Sequence, residues 1–129
     1  MIKQLGFILI LVSSMVMSAK ECTIDDIKKG KVWEIPKNCQ SLNLENNNIG
    51  DERAKELAAA LLVNETLTDL DLRYNDIGYK GAKELAEALL ENETLTELKL
   101  DNNNIGDEGA KELAAVLLVN ETLTDLDLR

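Results

Sequence analysis

Carboxylates alternating with leucines are the chemical resource of this chain. They stand as Asp69-Leu-Asp71, Glu97-Leu-Lys99-Leu-Asp101 and Asp125-Leu-Asp127, drawn from 24 acidic residues set against 14 basic ones. Side chains of this kind can hold cations, recognise Lys and Arg, or move protons. The partners that would turn them into nucleophilic catalysis are missing. There is no His, and after residue 19 the only serine is Ser41, so neither a Ser-His nor a Cys-His arrangement can be built. Two cysteines are too few for a Cys/His zinc site, and no G-x-x-x-x-G-K phosphate loop occurs. The expectation is a protein that is not an enzyme and needs neither cofactor nor metal.

Two other patterns imitate chemistry. Asp101-x-Asn103-x-Ile105-Gly106 with Glu112 resembles part of a calcium loop, but Ile105 replaces an oxygen ligand. Asn64-Glu-Thr66, Asn92-Glu-Thr94 and Asn120-Glu-Thr122 have the spacing of N-glycosylation acceptors. They recur with a repeat, so turn residues joining a helix to a strand account for them without any sugar.

That repeat positions everything else. A 28-residue unit runs from Leu42 to Asp69, Leu70 to Glu97 and Leu98 to Asp125, then restarts at Leu126; the first and third copies agree at 24 of 28 positions. Near-identical copies argue for a scaffold, because a catalytic site needs residues that occur once. In each copy the leucines first alternate with polar residues, the period of a half-buried strand. The period then lengthens: Ala54, Leu57, Ala58, Leu61 and Leu62 are spaced for one helical face. Asp51 and Asp107, each following a glycine, are placed to cap their helices, and the middle copy has Tyr79 there and loses that cap.

These copies resemble leucine-rich repeats of the ribonuclease-inhibitor type, with the pattern L-x-x-L-x-L-x-x-N-x-I followed by a helix. Leu67, Leu70, Leu72, Asn75 and Ile77 match it, as do Leu95, Leu98, Leu100, Asn103 and Ile105; the first copy matches at Leu42, Leu44, Asn47 and Ile49, with Cys39 at the leading leucine. The helical half, Gly106 to Leu113, is similar to repeats of NOD-like receptors and Ran GTPase-activating proteins. The resemblance implies an α/β solenoid, a horseshoe segment with a parallel sheet on its concave face and helices on its convex face. It also implies a ladder of Asn47, Asn75 and Asn103 satisfying backbone groups between copies.

Residues 1–19, with Lys3 before an apolar run from Leu5 to Val12, have the character of a secretory signal peptide, so the expected location is secreted or periplasmic, with no membrane span once the signal is removed. Residues 20–38 read as an N-terminal cap, in which Ile24, Ile27, Val32, Trp33 and Ile35 cover the first repeat, and residues 39–129 as the repeats. Cys22 and Cys39 are expected to form a disulfide. The chain ends just after the fourth strand, and an uncovered edge there invites self-association or a structural role.

The concave face carries the functional expectation. Strand alternation gives three columns: Ser41, Asp69, Glu97, Asp125; Asn43, Asp71, Lys99, Asp127; and Glu45, Arg73, Asp101, Arg129, with Tyr74 beside the third. Carboxylates on neighbouring strands about 4.8 Å apart reinforce one another's field. With a net charge of −10, the chain favours a basic protein partner and disfavours nucleic acid and anionic membranes. The expected binding residues are Asp69, Asp71, Arg73, Tyr74, Glu97, Lys99, Asp101, Asp125 and Asp127. The alternative is a GTPase-activating protein like the Ran regulators, acting through Arg53, which stands where later copies have Gly81 and Gly109.

Overall fold

Five parallel strands follow the sequence order: β1 (Lys20–Thr23), β2 (Cys39–Asn43), β3 (Asp69–Asp71), β4 (Glu97–Lys99) and β5 (Asp125–Asp127). Three helices connect the last four, α1 (Gly50–Val63), α2 (Tyr79–Glu91) and α3 (Gly106–Val116). The computed structural model describes residues 20–30 and 32–129, so the signal peptide expected over 1–19 lies outside the described residues. The α/β solenoid expected from the repeat is the architecture found.

Pairing advances by one repeat per strand. Ser41, Asp69, Glu97 and Asp125 align across β2 to β5, as do Leu42, Leu70, Leu98 and Leu126. Leu42, Leu44, Leu70, Leu72, Leu98 and Leu100 are all buried, and they meet Leu57, Leu61, Leu85, Leu89 and Leu113 from the helices. Because side chains alternate along a strand, burying the leucines commits the intervening charged residues to the opposite face.

Asparagines lock this register. Asn75 is 1% exposed; its Oδ1 accepts from the N–H groups of Asn47 at 2.8 Å and Ile49 at 3.2 Å, and its Nδ2 donates to the carbonyls of Leu44 and Arg73. Asn103 repeats the pattern one copy later, accepting from Asn75 and Ile77 and donating to Leu72 and Leu100. Its oxygen is therefore occupied by two N–H groups, which removes it from the calcium-like pattern. A second ladder joins each helix to the next strand. Asn92, 4% exposed, donates to Leu61 and accepts from Thr94 and Leu95, and Asn120 does the same with Leu89, Thr122 and Leu123. Folded Asn92 is closed to a glycan.

At the N-terminal end, the segment read as a cap contributes a strand. β1 pairs with β2, bringing Cys22 opposite Leu42. Cys22 and Cys39 form the expected disulfide, with Cα atoms 5.7 Å apart and both residues fully buried. Closing that loop stabilises the fold by about 3 kcal/mol in the chain-entropy account. Ile27, Trp33 and Ile35 are buried and Ile24 packs on the core, whereas Val32 is exposed.

Helix capping departs from the sequence expectation. Neither α1 nor α3 has a side-chain cap; their N-cap positions are Ile49 and Ile105. Asp51 instead reaches the next helix, where its Oδ1 accepts from the N–H groups of Gly78 at 2.7 Å and Gly81 at 2.9 Å. The copy expected to lack a cap is capped by its predecessor. Packing demands the glycine: a Cβ on Gly81 would stand 2.7 Å from Ile77 Cγ2 and 2.8 Å from Asp51 Oδ1. Asp51→Ala is expected to cost about 1–2 kcal/mol by removing two charge-assisted bonds, whereas Asp107→Ala should stay within about 0.5 kcal/mol. Urea unfolding of the two variants measures the difference, and equal losses would contradict the cross-repeat cap.

Candidate functional site

The three columns read from the sequence are real rows of neighbours. Asn43, Asp71, Lys99 and Asp127 align in register. The third column continues the ladder beyond the strand ends, since Asn46 N–H donates to Arg73, Tyr74 N–H to Asp101 and Asn102 N–H to Arg129. All nine expected binding residues therefore share the concave face or its rim. A shallow depression of about 280 Å³ opens among Ser41, Asn43, Asp69, Asp71, Glu97 and Lys99. It is also lined by Glu21, which the sequence reading missed: Glu21 pairs with Ser41 and Thr23 with Asn43. The alternation around Cys22, which faces inward at a leucine position, was the available signal.

Cations on this face are already engaged. Arg73 bonds Asp71 at 2.6 Å and Glu45 at 3.3 Å, Lys99 bonds Glu97 at 3.1 Å, and Arg129 bonds Asp127 at 2.6 Å. Asp69, Asp101 and Asp125 have no ion-pair partner among the described residues. The face therefore presents carboxylates whose charge is only partly balanced.

Two other sequence features resolve physically. Arg53 is exposed on the first helix. Its counterparts Gly81 and Gly109 face a preceding helix, where a Cβ would stand 2.8 Å from Asp51 Oδ1 at Gly81 and 3.2 Å from Ala82 Cβ at Gly109, a constraint that the first helix of the series escapes. Leu62 was expected on the buried helical face but is 53% exposed; eight residues after Ala54 it has turned about 80° away from that face. With Leu90 and Leu118 one and two repeats on, 53% and 87% exposed, and with Val63 and Val119, it makes an apolar ridge. Hollows of about 420 Å³ and 410 Å³ lie beside it, one including Trp33 and Val63, the other Leu90 and Val119.

Comparison with known proteins then settles the family. The profile of the TMOD/LMOD leucine-rich domain matches residues 19–129. The chain belongs to the TMOD/LMOD leucine-rich domain family. Among solved structures, leiomodin-1 actin-binding site 2 is 29% identical with a TM-score of 0.63, over 74% of this chain and 54% of that one. The chain thus spans about half the length of that structure. The tropomodulin C-terminal domain of Caenorhabditis elegans has a TM-score of 0.68 at 17% identity, covering 91% of this chain and 81% of that one, which speaks for the fold alone. No curated protein matches. The match supports the leucine-rich fold inferred from the motif but not the ribonuclease-inhibitor type expected from the sequence, and it says nothing of NOD-like receptors or Ran GTPase-activating proteins.

In this leucine-rich domain the ion pairs also set protonation. Hydrogen bonds from the Arg129 side chain and backbone hold Asp127 down at about 2. For Asp71, burial pulls upward, but the side-chain and backbone bonds from Arg73 and its positive charge outweigh it and leave the carboxyl below its ordinary value. Asp71 raises Arg73 through their hydrogen bond, and Glu97 raises Lys99. Depressed carboxyl values contribute stability above the unfolded value, near 3.9, and lose it as pH falls through the folded value. Melting temperature should therefore fall between about pH 4 and pH 2, and less steeply in the Asp71→Asn/Asp127→Asn double variant. Parallel pH profiles of the two proteins would contradict this assignment.

Proposed function

We propose that this TMOD/LMOD leucine-rich domain is a non-catalytic protein-binding module whose acidic concave sheet receives a cationic surface of its partner. The observation that carries the reading is the in-register alignment of Asp69, Glu97 and Asp125 beside Asp71 and Asp127, with fewer cations on the face than carboxylates. Clustered charges of one sign suit a partner rich in Lys or Arg and speed its approach. Actin is the first partner to test, because a leiomodin-1 structure described as an actin-binding site is 29% identical to this chain. Secretion is a separate proposal, supported by the apolar run from Leu5 to Val12 behind Lys3 and by the Cys22–Cys39 disulfide, and a secreted chain meets actin only where it is delivered into another cell.

The test is a fluorescence titration of labelled monomeric actin with the chain and with its Asp71→Lys/Asp127→Lys variant, both first verified as folded by circular dichroism. The expected result is binding by the parent that weakens with salt, and a loss of at least about tenfold in the variant. Equal affinity of both proteins would move the interface off the concave sheet, with the ridge at Leu62, Leu90 and Leu118 as the next surface to alter.

A further inference from the structure

One residue on the rim of the sheet costs the fold stability without a return inside the molecule. Tyr74 adopts the left-handed conformation, with φ at +56°. That region is disfavoured for residues with a Cβ and unusual for an aromatic one, whereas Asn tolerates it because its short polar side chain bonds locally. The corresponding residues of the neighbouring copies are Asn46 and Asn102, with φ at +57° and +60°. Three successive turns therefore share one backbone shape, and only the middle copy fills it with an ill-suited residue.

The backbone has no freedom to relax around Tyr74. Its N–H donates to Asp101 while the Arg73 carbonyl accepts from Asn46, and the adjacent Asn75 is held by the buried ladder. Nor does the ring find compensation in the core: Tyr74 is 52% exposed. Strained and exposed aromatic residues are spent on contacts outside the chain, and Tyr is among the side chains that anchor protein interfaces.

Its surroundings specify the visitor. The adjoining column holds Glu45, Arg73, Asp101 and Arg129, with Arg73 paired to Asp71 and Glu45 and Arg129 paired to Asp127, and the carboxylate oxygen Oδ1 of Asp101 is shielded from solvent without a hydrogen-bond partner. An exposed electron-rich ring on the rim of an acidic sheet suits a cation. We infer that Tyr74 is the anchor at which a Lys or Arg side chain of the protein partner docks against the rim of the concave sheet. This deepens the proposed binding function and rests on it.

Opposite signs in two measurements test the anchor. Tyr74→Asn restores the residue found in both neighbouring copies, so it should raise the melting temperature of the full chain, by roughly 3 °C or more. The same change should weaken binding of a hexa-arginine peptide, followed by calorimetry at low salt, by roughly tenfold. Tyr74→Phe, which keeps the ring, should bind as the parent does. A lower melting temperature in Tyr74→Asn would show that the ring supports the fold, and unchanged peptide affinity would remove it from the interface; either overturns the anchor. Failure of the parent to bind the peptide would overturn the cationic occupant. Asp71→Lys/Asp127→Lys runs alongside: loss of binding there with none in Tyr74→Asn refutes the anchor but leaves the concave-face reading intact, and no loss in either variant refutes both.

Discussion

Buried asparagine side chains between successive copies are the constraint on which the rest of the structure depends. The Asn75 side chain satisfies two N–H groups of the preceding copy and a carbonyl in each of two copies. A register slip would orphan all of them in a buried site, at about 1–3 kcal/mol per unsatisfied group. The 28-residue step is thereby fixed at each turn, and the strands have no choice but to stack Asp69, Glu97 and Asp125 in one row and Leu on Leu in the next. The acidic face follows from a register chosen by the core.

Stacking like charges would destabilise a sheet that had no answer to it. Here the answer is built into the exceptions between copies. Lys99 interrupts the column between Asp71 and Asp127, and Arg73 interrupts the one between Glu45 and Asp101. Each cation bonds a carboxylate two positions away on its own strand, and Arg73 also spans to the neighbouring copy. Exposed ion pairs of this kind contribute little net stability. Their consequence is a field that is tempered rather than cancelled, so the sheet folds and stays anionic. Reading the repeat for its differences is therefore more informative about binding than reading it for its consensus.

Much of this was legible in the sequence, for a physical reason. The leucine alternation and the Asn at the turn report burial and backbone satisfaction, which act within a copy or between adjacent ones, so β2 to β5, the helices and the three columns could all be placed. What escaped depends on relations that a single copy does not express. β1 has no repeat of its own to announce it, and only Cys22 at a leucine-equivalent position marks it. Asp51 looks like the cap of its own helix, yet its oxygen lies against Gly81 of the next, a contact visible only once the helices are packed. Leu62 satisfies a helical spacing rule but sits past the edge of the buried face, which the sequence pattern cannot resolve without the neighbouring helix. Tyr74 was noticed as an aromatic among charges, while the left-handed backbone that gives it meaning required the structure.

The account centres on a cationic protein surface meeting the concave sheet, and chemical-shift mapping reads that contact residue by residue. Amide spectra of the isotopically labelled chain would be followed as unlabelled monomeric actin is added. Perturbation concentrated at Asp69, Asp71, Tyr74, Glu97 and Lys99, with the helices unaffected, is the predicted result. Perturbation centred on Leu62, Leu90 and Leu118, with the sheet silent, would contradict it.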